Sequence, residues 1–150
     1  MRSLGLDVGS KTIGRALGDA SGLIATAYDV WARKGHVEDA REIVRQVSEE
    51  AVQAIVVGLP LELDGRVGRR ARATHRFVEA LEAELAGQKV EASVHLWDER
   101  FSTAAAERAM IAADVSRARR KEKIDAVAAQ VILQGWLDAQ RNKAQAGGAS

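Results

Sequence analysis

Apolar and polar positions alternate from the first residues. In Ser3 to Val8, Leu4, Leu6 and Val8 point one way while Gly5, Asp7 and Gly9 point the other, the two-residue period of a strand. Thr12 to Asp19 and Leu23 to Trp31 are two further strands. The connections Gly9-Ser10-Lys11 and Asp19-Ala20-Ser21-Gly22 are short and rich in turn residues, so the chain is expected to open with an antiparallel meander. The period then lengthens. Val37, Ala40, Val44, Val47 and Ala51 recur at helical spacing, with Glu38, Asp39, Arg41, Glu49 and Glu50 on the opposite face. Ala54-Ile55-Val56-Val57 is an unbroken apolar run, as in a strand covered on both faces, which Gly58 and Pro60 should end.

A Gly- and Arg-rich loop leads to a helix over Ala71 to Leu85, then a strand over Val90 to Trp97 and an Ala-rich helix over about 103–113. The last helix is expected from about Lys121 to Gln140, with Ile124, Val127, Ala128, Val131, Ile132, Gly135 and Trp136 as its apolar stripe. Residues 141–150 are polar and rich in Gly and Ala, and are read as a flexible tail behind one domain spanning 1–140. The order β-β-β-α-β-α-β-α-α implies a mixed five-stranded sheet, a meander on one side and parallel crossovers on the other.

Composition narrows the class. A chain of 150 residues with 47% apolar and 29% charged residues fits a globular domain with its own core. No apolar run reaches the roughly 18 residues of a membrane span, and no secretory leader is evident, so a cytoplasmic location is expected. With no Cys there is no disulfide, thiolate metal site or Cys nucleophile. Net charge is only +1, but the cations are grouped: Arg66, Arg69, Arg70, Arg72 and Arg76 in one stretch, Arg117, Arg119, Arg120, Lys121 and Lys123 in another. Such patches on a near-neutral protein suit a phosphate-binding face, and equally suit two solvated helix starts.

Carboxylates at the ends of apolar elements carry the chemistry. Asp7 lies mid-strand between two glycines, where a charge is costly unless paired or bound to metal. Asp98 and Glu99 follow a strand end, where open sheets with crossover helices build their sites. Asp125 is placed in the first turn of the last helix, at the edge of its apolar stripe. Each has a structural alternative: Asp98 or Glu99 as a helix cap, Asp125 as a partner of the helix dipole. Converging carboxylates without a His or Cys set favour a hard cation, Mg²⁺ or Mn²⁺. Two such ions suit phosphodiester hydrolysis. Lys11, Arg100 and Lys121 are candidates to contact phosphate or steady the acids. His36, His75 and His95 show no ligand spacing, and Trp31, Trp97 and Trp136 read as core or core-edge residues.

At these motifs the chain resembles the YqgF family, RuvC-like Holliday-junction resolvase homologues associated with pre-16S rRNA cleavage. The stretches are Gly5-Leu6-Asp7-Val8-Gly9-Ser10-Lys11-Thr12-Ile13-Gly14, Val57-Gly58-Leu59-Pro60-Leu61, Asp64-Gly65, Asp98-Glu99-Arg100 and Lys123-Ile124-Asp125-Ala126-Val127-Ala128-Ala129. The resemblance implies an RNase H-like α/β fold, a divalent-metal site probed by Mg²⁺ or Mn²⁺, and a nucleic-acid substrate. It places the acidic triad, catalytic and metal-binding, on Asp7, Glu99 and Asp125, with Asp98 orienting a neighbour. Phosphate contacts are expected from Lys11, Arg66, Arg69, Arg70, Arg100, Arg119 and Lys121. Glu62 stands where the family usually has Asn, and Phe101-Ser102 replaces a Leu-Thr-like pair.

The expected activity is 5′-end processing of precursor 16S rRNA in ribosome biogenesis. The alternatives are resolution of branched DNA and a non-catalytic nucleic-acid-binding role for the same fold, in either case as a monomer or homodimer. Leu6 to Lys11 also looks like the phosphate hairpin of actin- and hexokinase-like ATPases. Those enclose nucleotide between two such domains, and 150 residues hold one.

Overall fold

A computed structural model describes the backbone of residues 1–101 and 117–148, and side chains of residues 1–100 and 124–145. The helix expected over 103–113 lies outside the described residues. Among the described residues there are five strands: β1 (Ser3–Val8), β2 (Thr12–Gly18), β3 (Ala25–Ala32), β4 (Ala54–Leu59) and β5 (Ser93–Asp98). The helices are α1 (His36–Glu49), α2 (Arg69–Gly87) and α3 (Arg117–Gly148), and a single 3₁₀ turn spans Glu99–Phe101. The sheet order is β3-β2-β1-β4-β5. β1, β2 and β3 pair antiparallel, whereas β1, β4 and β5 run parallel. This is the mixed sheet that the periodicity predicts.

Alternation along β1 divides the molecule into two cores. Leu4, Leu6 and Val8 join Ile13, Ile55 and Val57 under α1 and α2, whose Ile43, Val44, Phe77 and Leu81 seal that face. The other face is cut from smaller residues. Ala16, Ala54 and Val56 pack against Ala129, Ile132, Leu133, Trp136 and Leu137 of α3. Full burial of Ile132 and Leu133 stabilises by about 1.5–3 kcal/mol each, and the narrow sheet residues let the helix lie close. No helix among the described residues is long and apolar enough to cross a membrane.

Three boundaries differ from the periodicity. β4 continues through Gly58 to Leu59 instead of stopping at Gly58, because β5 pairs with it at Gly58 and Leu59. Second, α3 begins at Arg117, so Asp125 lies more than two turns inside the helix and not in its first turn. The helix dipole, which acts within the first turn, therefore does not account for it. Third, α3 runs on through residues 141–148, where a flexible tail was expected. That stretch is Arg-Asn-Lys-Ala-Gln-Ala-Gly-Gly, in which Arg, Lys, Ala and Gln are good helix formers.

Candidate nucleic-acid cleavage site

Asp7 is buried in the centre of the sheet, only 6% exposed. Its neighbours on both sides are glycines. Antiparallel pairing sets Gly14 directly opposite it on β2. On the parallel side, Leu6 pairs with Val57, so the next step of the register sets Gly58 beside Asp7. Paired residues share a face, and this face is the one covered by α3. The missing side chains are used. A Cβ on Gly14 would stand 2.0 Å from the Asp125 carbonyl oxygen, and one on Gly58 would meet Ile132 Cδ1 at 2.6 Å and Glu99 Oε1 at 2.7 Å. Asp125 thus lies over one glycine and Glu99 over the other, with Asp7 between them. The fold thus sets Asp125 against Gly14 and Glu99 against Gly58, the glycines that flank Asp7 on the two neighbouring strands.

Local bonds orient the members. The Thr12 hydroxyl donates to Asp125 Oδ2 at 2.6 Å, across 113 residues of sequence. Asp98 takes Arg100 by the fork, with Nη2 donating at 2.7 Å and Nε at 3.0 Å to Oδ2. The Arg100 guanidinium and backbone N–H bonds hold the Asp98 carboxyl below the usual carboxylate range despite its partial desolvation. Arg100 also donates to the Leu63 carbonyl, tying the loop after β4 to the Glu99 turn.

Three carboxylates offer the hard oxygen donors that Mg²⁺ or Mn²⁺ prefers. Yet among the described residues no three His, Asp or Glu side chains are already clustered for an ion. The donor set fits the cation in its chemistry: Asp7, Glu99 and Asp125 are the residues that would hold it.

A cavity of about 550 Å³ opens beside Asp125, walled by the Gly9–Thr12 turn, Arg33, Arg69 and Arg70. Of the predicted phosphate contacts, Lys11, Arg69 and Arg70 meet here. Arg66 does not: it pairs with Asp64 at 2.6 Å on the exposed loop. Arg100 sits with that loop at the Glu99 end. Arg119 and Lys121 belong to the first turns of α3, but their side chains lie outside the described residues. Glu62 lies against the start of α2, since a Cβ on Gly68, the residue before that helix, would stand 2.2 Å from its Oε1. A carboxylate at a helix N-terminus is favourably placed. Sequence reasoning missed Thr12 and Arg33. Neither has a local signal, since both act through pairings that only the folded sheet creates.

The family described as RuvX: Holliday junction resolvase matches residues 1–139. The chain belongs to that family. Relatives bearing the name "Putative pre-16S rRNA nuclease" include one from Myxococcus xanthus, 49% identical over 141 residues, covering 94% of this chain and 90% of that protein. Another, from Symbiobacterium thermophilum, is 50% identical over 139 residues and 93% of each chain. A third, from Halalkalibacterium halodurans, is 45% identical over 145 residues, covering 95% of this chain and all of that protein. Among solved structures, Thermus thermophilus RuvC in complex with a Holliday junction substrate superimposes with a TM-score of 0.61 at 13% identity, over 94% of this chain and 96% of that one. The yeast mitochondrial Holliday junction resolvase Ydc2 gives 0.54 at 12% identity, over 90% and 77%. At such identities the likeness is one of fold, and the RuvX chain has the RNase H-like fold of these resolvases.

Proposed function

We propose that this RuvX protein is a metal-dependent nuclease that hydrolyses phosphodiester bonds, with Asp7, Glu99 and Asp125 as its catalytic carboxylates. The observation that supports this reading is the seating of Asp125 over Gly14 and of Glu99 over Gly58, on either side of Asp7, next to a cavity walled by Lys11, Arg69 and Arg70. Two Mg²⁺ or Mn²⁺ ions held by these acids would supply activation of the attacking water and stabilisation of the leaving oxygen. The chain's own residues do the rest. Lys11, Arg69 and Arg70 draw a backbone phosphate into the cavity and hold it beside Asp125. Thr12 keeps the Asp125 carboxylate from swinging away, and the buried setting of Asp7 fixes its direction. Arg100, gripped by Asp98, presents a second cationic point at the Glu99 end.

The names of the relatives favour precursor 16S rRNA as the substrate, and we extend the proposal to processing of its 5′ end in ribosome biogenesis, in the cytoplasm. A branched DNA substrate is the second reading, favoured by the family description and by the junction-bound structural neighbour. The test is cleavage of labelled precursor rRNA and of a four-way DNA junction, with Mg²⁺ or Mn²⁺ and with chelator. Asp7→Asn should abolish cutting and keep binding. Arg69→Glu with Arg70→Glu should weaken binding and flatten its salt dependence by about one log unit per lost contact. Cutting that survives chelator or Asp7→Asn would refute the mechanism. Binding without cutting by the unaltered protein would leave a non-catalytic nucleic-acid-binding protein.

A further inference from the structure

The Gly9–Lys11 turn joins β1 to β2 at the edge of the site, and it is held from both sides. Toward α3, the Gly9 N–H donates to the Thr12 carbonyl at 2.8 Å, and Thr12 in turn holds Asp125. Toward α1, a single residue takes two of the turn's carbonyls. The Arg33 N–H donates to the Lys11 carbonyl at 2.9 Å, and Arg33 Nη1 donates to the Gly9 carbonyl at 2.9 Å. The guanidinium is itself fixed. Its Nε donates to Asp39 Oδ2 at 3.0 Å, its Nη2 to His36 Nδ1 at 3.0 Å, and it lies over the Phe77 ring of α2. Asp39 has no exposed surface and also accepts from Trp31 Nε1 at 3.0 Å and the Lys34 N–H at 2.9 Å. A fully buried carboxylate with three donors, on a helix that carries none of the three predicted acids, needs a reason to be there.

We infer that Arg33 and Asp39 are positioning residues: they lock the Gly9–Lys11 turn so that the Lys11 ammonium is presented to the phosphate in the cavity. The inference rests on the phosphate-binding reading of that cavity. Arg33 also lines the cavity, so direct phosphate contact is the competing role. The two roles differ in sign at Asp39. Where Arg33 contacts phosphate, Asp39→Asn releases its charge and tightens binding. Where Arg33 locks the turn, Asp39→Asn loosens the turn and weakens binding.

The measurement is affinity for a fluorescent oligonucleotide of the preferred substrate in chelator, for Arg33→Gln, Asp39→Asn, Lys11→Ala and the Arg33→Gln/Lys11→Ala pair. Each of the first three should weaken binding about three- to tenfold. Arg33→Gln should cost nothing further once Lys11 is Ala, because the turn then has nothing to present. Amide hydrogen exchange of the free protein supplies a second readout. Residues 9–12 should exchange at least tenfold faster in Arg33→Gln, with β1 and β4 unchanged. Additive losses in the double variant, tighter binding by Asp39→Asn, or unaltered exchange in the turn would each overturn the assignment. Should Arg33→Gln not fold, Arg33→Lys keeps the charge, loses the fork, and is expected to give the same pattern. Exchange is read without nucleic acid, so it separates failure of this assignment from failure of the nuclease reading.

Discussion

Gly14→Ala is the sharpest test of how α3 is seated. The new Cβ would stand 2.0 Å from the Asp125 carbonyl oxygen, 2.3 Å from its carbon and 3.0 Å from the Ala126 nitrogen. A tolerable carbon–oxygen approach is about 3.3 Å, so helix and strand must part by about 1.3 Å. Both obstacles are backbone, and no rotamer change relieves them. The separation opens the interface around Ala129, Ile132 and Leu133, and overpacking of this kind costs about 1–3 kcal/mol. For a domain of this size that is a fall in Tm of about 2–12 °C. It also lifts Asp125 away from Asp7, and a displacement near 1 Å in a catalytic group can cost on the order of a hundredfold in rate. Gly87→Ala is the control: nothing lies within 4 Å of its added Cβ, and an Ala near a helix end gains up to about 1 kcal/mol. Thermal unfolding and single-turnover cleavage of the preferred substrate read both effects. A Gly14→Ala protein with unaltered Tm and rate would show that α3 does not rest on β2 at Asp125, and the convergence of the triad would fall with it.

Two further outcomes are expected. Thr12→Val keeps the shape and removes the hydroxyl bonded to Asp125; a half-buried bond of this kind is worth about 1 kcal/mol in urea unfolding, while cleavage should fall at least tenfold and recover in Thr12→Ser. Wild-type cleavage by Thr12→Val would show that Asp125 needs no orientation from β2. Stability should also decline on acidification. Burial and the charges of Arg33 and Arg76 hold His36 below its ordinary pKa against the pull of Asp39, so the unfolded chain takes up the proton first as pH falls below about 6.5. Asp39 is held low by its donors in spite of desolvation, and its contribution is lost at still lower pH, below the usual carboxylate range. Urea midpoints from pH 7 to 5 should therefore drop, and His36→Asn, whose carbonyl can accept from Arg33 at every pH, should flatten that slope; an equal slope in the variant would dismiss the His36 contribution.

Much of this was legible because strand alternation is a local property. The facing of Gly5, Asp7 and Gly9 away from Leu4, Leu6 and Val8 follows from the two-residue period, and the sheet keeps it. Gly58 shows where local reading stops. Glycine after an apolar run reads as a strand end, but pairing to β5 carries β4 through it, and its bareness serves Glu99 and Ile132 instead. The start of α3 was misread for a related reason: a run of Arg and Lys carries no apolar stripe, so its helicity has no periodic signature. Thr12 and Arg33 were invisible because their roles are long-range, Thr12 to a residue 113 positions away and Arg33 to a turn 24 positions back.

The same glycines explain why acids and helix can share one face of a sheet. A charge at mid-sheet is costly where α3 packs tightly, yet α3 must pack tightly to bring Asp125 near Asp7. Gly5 and Gly14 resolve the conflict by letting the helix backbone descend to the sheet on two strands: the Leu133 Cβ would lie 2.7 Å from a Cβ on Gly5, and the Asp125 carbonyl 2.0 Å from one on Gly14. Gly58 performs the same service for Glu99. Bulk at any of the three would keep the hydrophobic side of α3 buried only by tilting it, and the tilt would fall on the acids. The seating of α3 beside Asp7 is therefore set less by the carboxylates than by the absence of side chains on the neighbouring strands.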